Sequence, residues 1–172
     1  MPKILFFDKG GRKERLKLIN QKLAPKDFFQ GLNTLQDKGY NIKHLSSSKP
    51  YKKNIIFYIG SLVEKIFCKL TNIGIRPLSV FQFKEFINSS SHVISLTDGF
   101  SLSLGFYYSF FDKQNKIKLA GGFHRLSEYD KKLPKILKSF YYQIFRMILN
   151  KLNILVFYGE SDRLNSIKHF NL

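Results

Sequence analysis

Three places along the chain hold residue types able to grip an anion or move a proton. In LAGGFHRLSEYD, residues 119–130, an apolar run ends in Gly121-Gly122, and Phe123, His124 and Arg125 follow at once. An imidazole changes charge near neutral pH and can take or deliver a proton. A guanidinium presents a fixed cation to phosphate or sugar oxygens. The stretch therefore has two readings: a turn that exposes a histidine, or a strand end where His124 meets substrate with Arg125 beside it. Thr97-Asp98-Gly99 also closes an apolar run, and Asp98 there either caps the next helix or turns its carboxylate to a ligand. Gly10-Gly11-Arg12 follows the first apolar run. It is either a plain loop or a site where backbone N–H groups approach an anion, with Arg12 assisting. His44, His92 and His169 fall inside expected strands or a helix and have no such setting.

Several chemistries are excluded. Neither G-x-G-x-x-G nor G-x-x-x-x-G-K-[ST] occurs, so no complete dinucleotide or P-loop site is present. No G-x-S-x-G accompanies a serine nucleophile. Histidines and carboxylates do not cluster along the sequence, so neither a metal site nor a cofactor is expected. The single cysteine, Cys68, rules out an internal disulfide and any multi-cysteine metal site. Its apolar helical setting reads as a buried, inert thiol.

With 172 residues, 44% of them hydrophobic, the chain suits one domain spanning 1–172 with a substantial core. Eighteen Phe and nine Tyr supply the bulk. A net charge of +17 draws such a surface to polyanions: anionic lipid, phosphorylated substrates or nucleic acid. Lysine carries most of that charge, and an AT-rich coding bias inflates lysine without function. No aromatic-and-basic signature of an RNA-recognition sheet is present, so nucleic acid is not an expected partner. MPKILFFDKGG has too short an apolar run for a signal peptide, and no stretch reaches the length of a membrane span. The expected address is cytoplasmic, with peripheral contact to the inner face of the membrane as an extension.

The elements that must position these residues alternate between short apolar runs and longer helical patterns. Strands are expected at Ile4–Phe7, Asn41–Leu45, His92–Leu96, Lys116–Ala120 and Asn153–Tyr158. A basic stretch from Arg12 to Lys22 is a helix or an ordered loop. Pro25 and Asp27 start a helix that Gly39 stops, and SSSKPYKKN at 46–54 is a polar, basic loop. Ile55, Ile56, Ile59, Leu62, Val63, Ile66, Phe67 and Leu70 form a 3.6-period stripe. Residues 75–90 fit either period, with Pro77 beginning a strand or a bend. Phe100–Phe111 is an apolar helix, Lys131–Lys151 a long amphipathic one, and Ser161–Phe170 a short one. The long helix has Leu133, Ile136, Leu137, Phe140, Tyr141, Ile144, Phe145 and Ile148 on one side. Its basic side, from Lys131 to Lys151, is either solvated or laid on anionic lipid. Strands separated by helices predict an α/β domain, Rossmann-like, with a mainly parallel sheet and helices on both faces. Ligands in such folds sit beyond the carboxyl ends of the strands, where all three candidate stretches fall.

The order of these features resembles the N-terminal domain of GT-B-fold retaining glycosyltransferases of the group-1, family-4-like class. KILFFDKGG is similar to their first strand and glycine loop. DFFQGLNTLQDKGYNIKHL is similar to a helix ending in a K-x-G-[YH]-x-[IV] turn before a strand. HVISLTDGF is similar to the strand entering the acceptor cleft. KIKLAGGFHRLSE, and later NILVFYGESDRLNSIKHFNL, resemble a strand with a Phe-His pair, then a strand leading to a short helix that ends in F-[NG]-[LV]. Residues 46–90 match nothing in that pattern. The resemblance implies an acceptor-binding domain, with His124 near the reacting centre and Gly10, Gly11 and Asp98 near the interdomain cleft; Gly99 is taken with its neighbour Asp98 as acceptor-binding. Arg12 and Arg125 enter on their chemistry alone. It also implies a saccharide or lipid-linked acceptor and a nucleotide-sugar donor held by a C-terminal domain that 1–172 does not include, or by a separate subunit. Without that domain, transfer is not expected. The rival reading is a non-catalytic basic Rossmann-like module that docks to membrane or to a partner protein.

Overall fold

Four consecutive apolar residues, Ile4 to Phe7, are all buried, as a central strand covered on both faces requires. The computed structural model describes residues 3–8, 17–19, 21–23, 31–46, 55–71, 73–112, 116–132, 135 and 138–172. Strand β1 (Lys3–Asp8) pairs in parallel with β2 (Asn41–Ser46) on one side and β3 (His92–Ser95) on the other. Strands β4 (Lys118–Phe123) and β5 (Ile154–Phe157) extend the sheet. The order is β2-β1-β3-β4-β5, all parallel. This is a doubly wound arrangement, Rossmann-like, whose winding direction reverses between β1 and β3.

The described helices are α1 (Leu32–Asp37), α2 (Ile55–Thr71), α3 (Pro77–Gln82), α4 (Lys84–Asn88), α5 (Asp98–Phe110), α6 (Tyr129–Lys132), α7 (Lys138–Leu149) and α8 (Glu160–Phe170). On one face of the sheet, Leu5, Phe7, Val93, Leu119 and Phe123 meet α3, α4, α5 and α7. Ring contacts knit this layer, with Phe7 on Phe100 at 4.3 Å and Phe145 stacked on Phe170 at 5.0 Å between centroids. On the other face, Phe6 and Leu96 pack with Ile19 and with Leu32 of α1. Gly39, at φ +80°, ends α1 in the left-handed conformation that glycine adopts without strain.

Within residues 75–90 the chain forms α3 and α4 and no strand, with Pro77 at the first turn of α3, where its missing N–H leaves no helical partner unpaired. The helix expected over 131–151 is two helices, α6 and α7, with Pro134 between them in the sequence. Proline lacks the donor a continuous helix needs and disfavours helical backbone before it. Of its expected stripe, Leu133, Ile136 and Leu137 lie outside the described residues. Phe145 and Ile148 are buried, whereas Phe140 is exposed. Lys138 and Tyr142 both donate to Asp130, tying α7 back to α6. The basic side of α7 is partly engaged, since Arg146 Nε donates to the Phe170 carbonyl at 3.3 Å. Strand β5 is an edge strand, with Leu155 and Phe157 on the core and Ile154 and Val156 exposed.

Helix α2 departs most from its pattern. Its inner face is the less apolar one. Gly60 lies against Leu78, Glu64 accepts the Leu78 N–H at 2.6 Å, and the Cys68 thiol donates to the Ile75 carbonyl at 3.4 Å. The apolar stripe faces outward, with Ile55, Ile59, Leu62, Val63 and Ile66 all exposed. Burial holds the Glu64 carboxyl above its ordinary range, against the pull of the Leu78 N–H and Arg76. Cys68 is only half-buried.

Tyr108 of α5 is buried, and its hydroxyl has no hydrogen-bond partner among the described residues. Burial, with the charge of Asp112 and the neighbouring Tyr107, raises its pKa above the ordinary tyrosine value. An unpaired buried hydroxyl costs desolvation without return. Tyr108→Phe is therefore expected to raise stability by up to about 1 kcal/mol, read as a higher urea midpoint. A lower midpoint would show that the hydroxyl is satisfied.

Candidate functional site

Beyond the carboxyl end of β4, four consecutive backbone N–H groups are held by two carboxylates. Asp98, in the first turn of α5, accepts from His124 N at 3.0 Å and from Arg125 N at 3.1 Å. Asp162, in the first turn of α8, accepts from Leu126 N at 3.2 Å and from Ser127 N at 2.8 Å. The segment thus leaves its strand clamped between two helix starts. A run of aligned N–H groups is ordinarily an anion cradle; here protein carboxylates already fill it. A ligand anion would be met by the side chains of His124 and Arg125.

Strand β4 runs through Gly121 and Gly122 to Phe123, so the glycines belong to the strand and not to a turn after it. Their small size is what matters. A Cβ on Gly121 would stand 2.7 Å from Leu152 Cδ1 and 3.1 Å from Ser101 Cβ. On Gly122 it would stand 3.0 Å from the Tyr158 hydroxyl and 3.2 Å from the Leu96 Cα. The same economy draws α5 down: Ser101 Oγ lies 3.0 Å from Ser95 Oγ and 3.3 Å from the Gly122 carbonyl. Gly99 lets α5 begin against the Gly74 backbone, where a Cβ would lie 3.0 Å from the Gly74 oxygen.

The His124 ring is stacked on Tyr158, with 4.0 Å between centroids and 12° between planes. Tyr158 leaves β5 with its N–H donating to the Phe123 carbonyl at 3.1 Å. His124 is exposed, and its ring nitrogens have no hydrogen-bond partner among the described residues. Arg125 is exposed, and among the described residues its side chain has only a long 3.9 Å approach of Nε to Glu128. Behind the loop, Tyr129 packs on Phe145 at 5.7 Å. Burial, with the charge of Asp98 contributing, pushes its hydroxyl up to about 12, so it stays protonated at neutral pH.

No family model, curated protein or solved structure matches the chain. The site therefore stands on its own geometry.

Of the residues singled out by sequence, the structure brings Asp98, Gly99, His124 and Arg125 to one edge of the sheet. Gly10, Gly11 and Arg12 lie outside the described residues. Asp98 does not cap α5: Thr97 holds the N-cap position without a side-chain hydrogen bond, and the Asp98 oxygens reach the neighbouring loop. Tyr158 and Asp162 were missed. The Tyr-Gly-Glu junction after the last apolar run marked a strand end, the one local signal for Tyr158. Among the described residues, no cluster of three metal-ligating side chains occurs, and no helix is long and apolar enough to cross a membrane. A hollow of about 310 Å³ lined by Phe57, Phe81, Gln82, Lys84, Glu85 and Asn88 lies elsewhere. Its α4 residues lead into the start of β3, at the opposite end of the sheet from His124.

Proposed function

We propose that this domain is the acceptor-binding half of a glycosyltransferase, which moves a sugar from a nucleotide-sugar to a saccharide or lipid-linked acceptor once a donor-binding domain completes it. The observation that carries the reading is the His124–Arg125 loop. It is fixed by Asp98 beyond the strand ends, with His124 open to solvent against Tyr158. A preorganised imidazole there can hold or take the proton of an acceptor hydroxyl as its oxygen attacks the anomeric carbon and the bond to the donor phosphate breaks. Arg125 supplies charge for a phosphate or sugar oxygen. Asp98 acts through the loop as a positioning residue, and Gly99 serves its packing.

With the chain joined to or mixed with its donor-binding domain, His124→Ala is expected to lower turnover or acceptor affinity at least about tenfold. Unchanged turnover together with unchanged acceptor affinity would remove His124 from the site. A lipid-linked acceptor would place the chain at the inner membrane face.

A further inference from the structure

We infer that the outer face of α2 is a membrane-docking surface that lies in the plane of an anionic bilayer. Ile55, Ile59, Leu62, Val63 and Ile66 recur at helical spacing along it, and each is more than half exposed. The opposite face fixes this orientation. Gly60 lets α2 settle onto Leu78, Glu64 takes the Leu78 N–H, and Cys68 bonds the Ile75 carbonyl, so the helix cannot turn its apolar stripe inward without breaking all three contacts. A contiguous apolar face of this kind marks an interaction surface.

Charge selects the occupant. The described charged side chains exposed on α2 are Lys65 and Lys69, one turn apart beside the stripe, while Glu64 points inward to α3. The chain carries +17 overall, so two copies brought face to face would repel, whereas an anionic bilayer attracts both the helix and the body behind it. Lysines at the edge of an apolar stripe snorkel to headgroups while their stems stay with the apolar residues. Among the described residues no helix, α2 included, is long and apolar enough to cross a membrane, and a one-sided apolar stripe over seventeen residues suits a helix lying in the interface. This inference is independent of the sugar chemistry, because it rests on the outer face of α2 and uses none of the residues that hold the His124 loop.

The chain contains no Trp, so Ile66→Trp introduces the sole indole. With vesicles of phosphatidylcholine and phosphatidylglycerol, its emission is expected to shift to the blue and to be quenched by brominated acyl chains. Pure phosphatidylcholine should give at least about tenfold weaker binding, and added salt should weaken binding to the mixed vesicles. Leu62→Asp with Ile66→Asp should abolish sedimentation with anionic vesicles while leaving the thermal midpoint in place, since both side chains are already exposed. Unmoved indole emission on anionic vesicles would overturn the inference. So would equal binding to neutral vesicles. A blue-shifted indole without lipid, accompanied by a dimer in the ultracentrifuge, would assign the face to a second copy instead. Loss of vesicle binding with turnover intact, or the reverse, separates this inference from the proposed site.

Discussion

Gly105→Ala should cost the domain about 2 to 3 kcal/mol, although alanine is the better helix former. In a helix interior, alanine is favoured over glycine by roughly 1 kcal/mol, so the sign is set by what the new methyl meets. It would run into the Ile148 carbonyl oxygen and stand 2.7 Å from Ile148 Cγ2 and 3.0 Å from the Ile148 carbonyl carbon. Two of those three atoms are backbone, so no rotamer change clears them. Relief requires α5 and α7 to move apart, and the surroundings resist. Ser109 Oγ lies within hydrogen-bond reach of both the Gly105 carbonyl at 2.7 Å and the Met147 carbonyl at 3.0 Å, holding the crossing one turn further on. Phe145 and Ile148 are fully buried beneath it. Overpacking of a filled core costs about 1 to 3 kcal/mol, and more where backbone must shift. Gly60→Ala is the informative contrast. Its methyl would come within reach of the Leu78 side-chain tip at the partly open α2–α3 contact, so a rotamer change absorbs the clash and the loss should be smaller. Urea midpoints of the two variants check the ranking. A Gly105→Ala protein as stable as its parent would show that the α5–α7 crossing is loose.

The difference between these two glycines is also the difference between what the sequence disclosed and what it did not. The five strands were legible because Ile4–Phe7 or His92–Leu96 announce themselves by local hydrophobicity, and the alternation with helices fixed the layer type. Glycine carries two physical meanings, backbone freedom and absence of bulk, and a local window cannot separate them. Gly121-Gly122 therefore read as the turn after a strand. They are strand residues whose missing side chains admit Leu152, Ser101 and Tyr158, partners distant in sequence. Periodicity has the same limit: the stripe of α2 was evident, but a stripe does not say what covers it. Pro134 was a local signal as well, but the expectation of one long helix over 131–151 followed the apolar period and passed over it. At the candidate site, His124 could be singled out because its residue type and its place after an apolar run are both local. Asp98 was singled out as well, as a cap or a ligand carboxylate, but its bonds to the loop were not foreseen and Asp162 was missed, since the two reach loop N–H groups 26 to 36 residues away.

Removing either carboxylate should therefore have separable consequences. Asp98→Ala deletes both acceptors for His124 N and Arg125 N. Hydrogen bonds to a charged group contribute roughly 1.5 to 3 kcal/mol each when shielded. This pair is exposed, and water can replace part of it, so a combined loss of about 2 to 3 kcal/mol is expected. The more specific effect is on position. With its N–H groups released, the His124 backbone no longer fixes the ring over Tyr158, and the upfield ring-current displacement of the imidazole protons should relax toward the free-histidine values in the NMR spectrum. Asp98→Asn keeps one carbonyl acceptor and should retain part of that displacement. Asp162→Ala releases Leu126 and Ser127 instead, in a part-buried setting where Leu126 itself is fully buried. It should cost at least as much stability yet disturb the His124 resonances less. A purely structural role for Asp98 would make the two alanine variants alike in both readouts. If Asp98→Ala leaves the imidazole shifts in place, the stacking on Tyr158 holds the ring alone, and the carboxylate is not what presents His124 to a ligand.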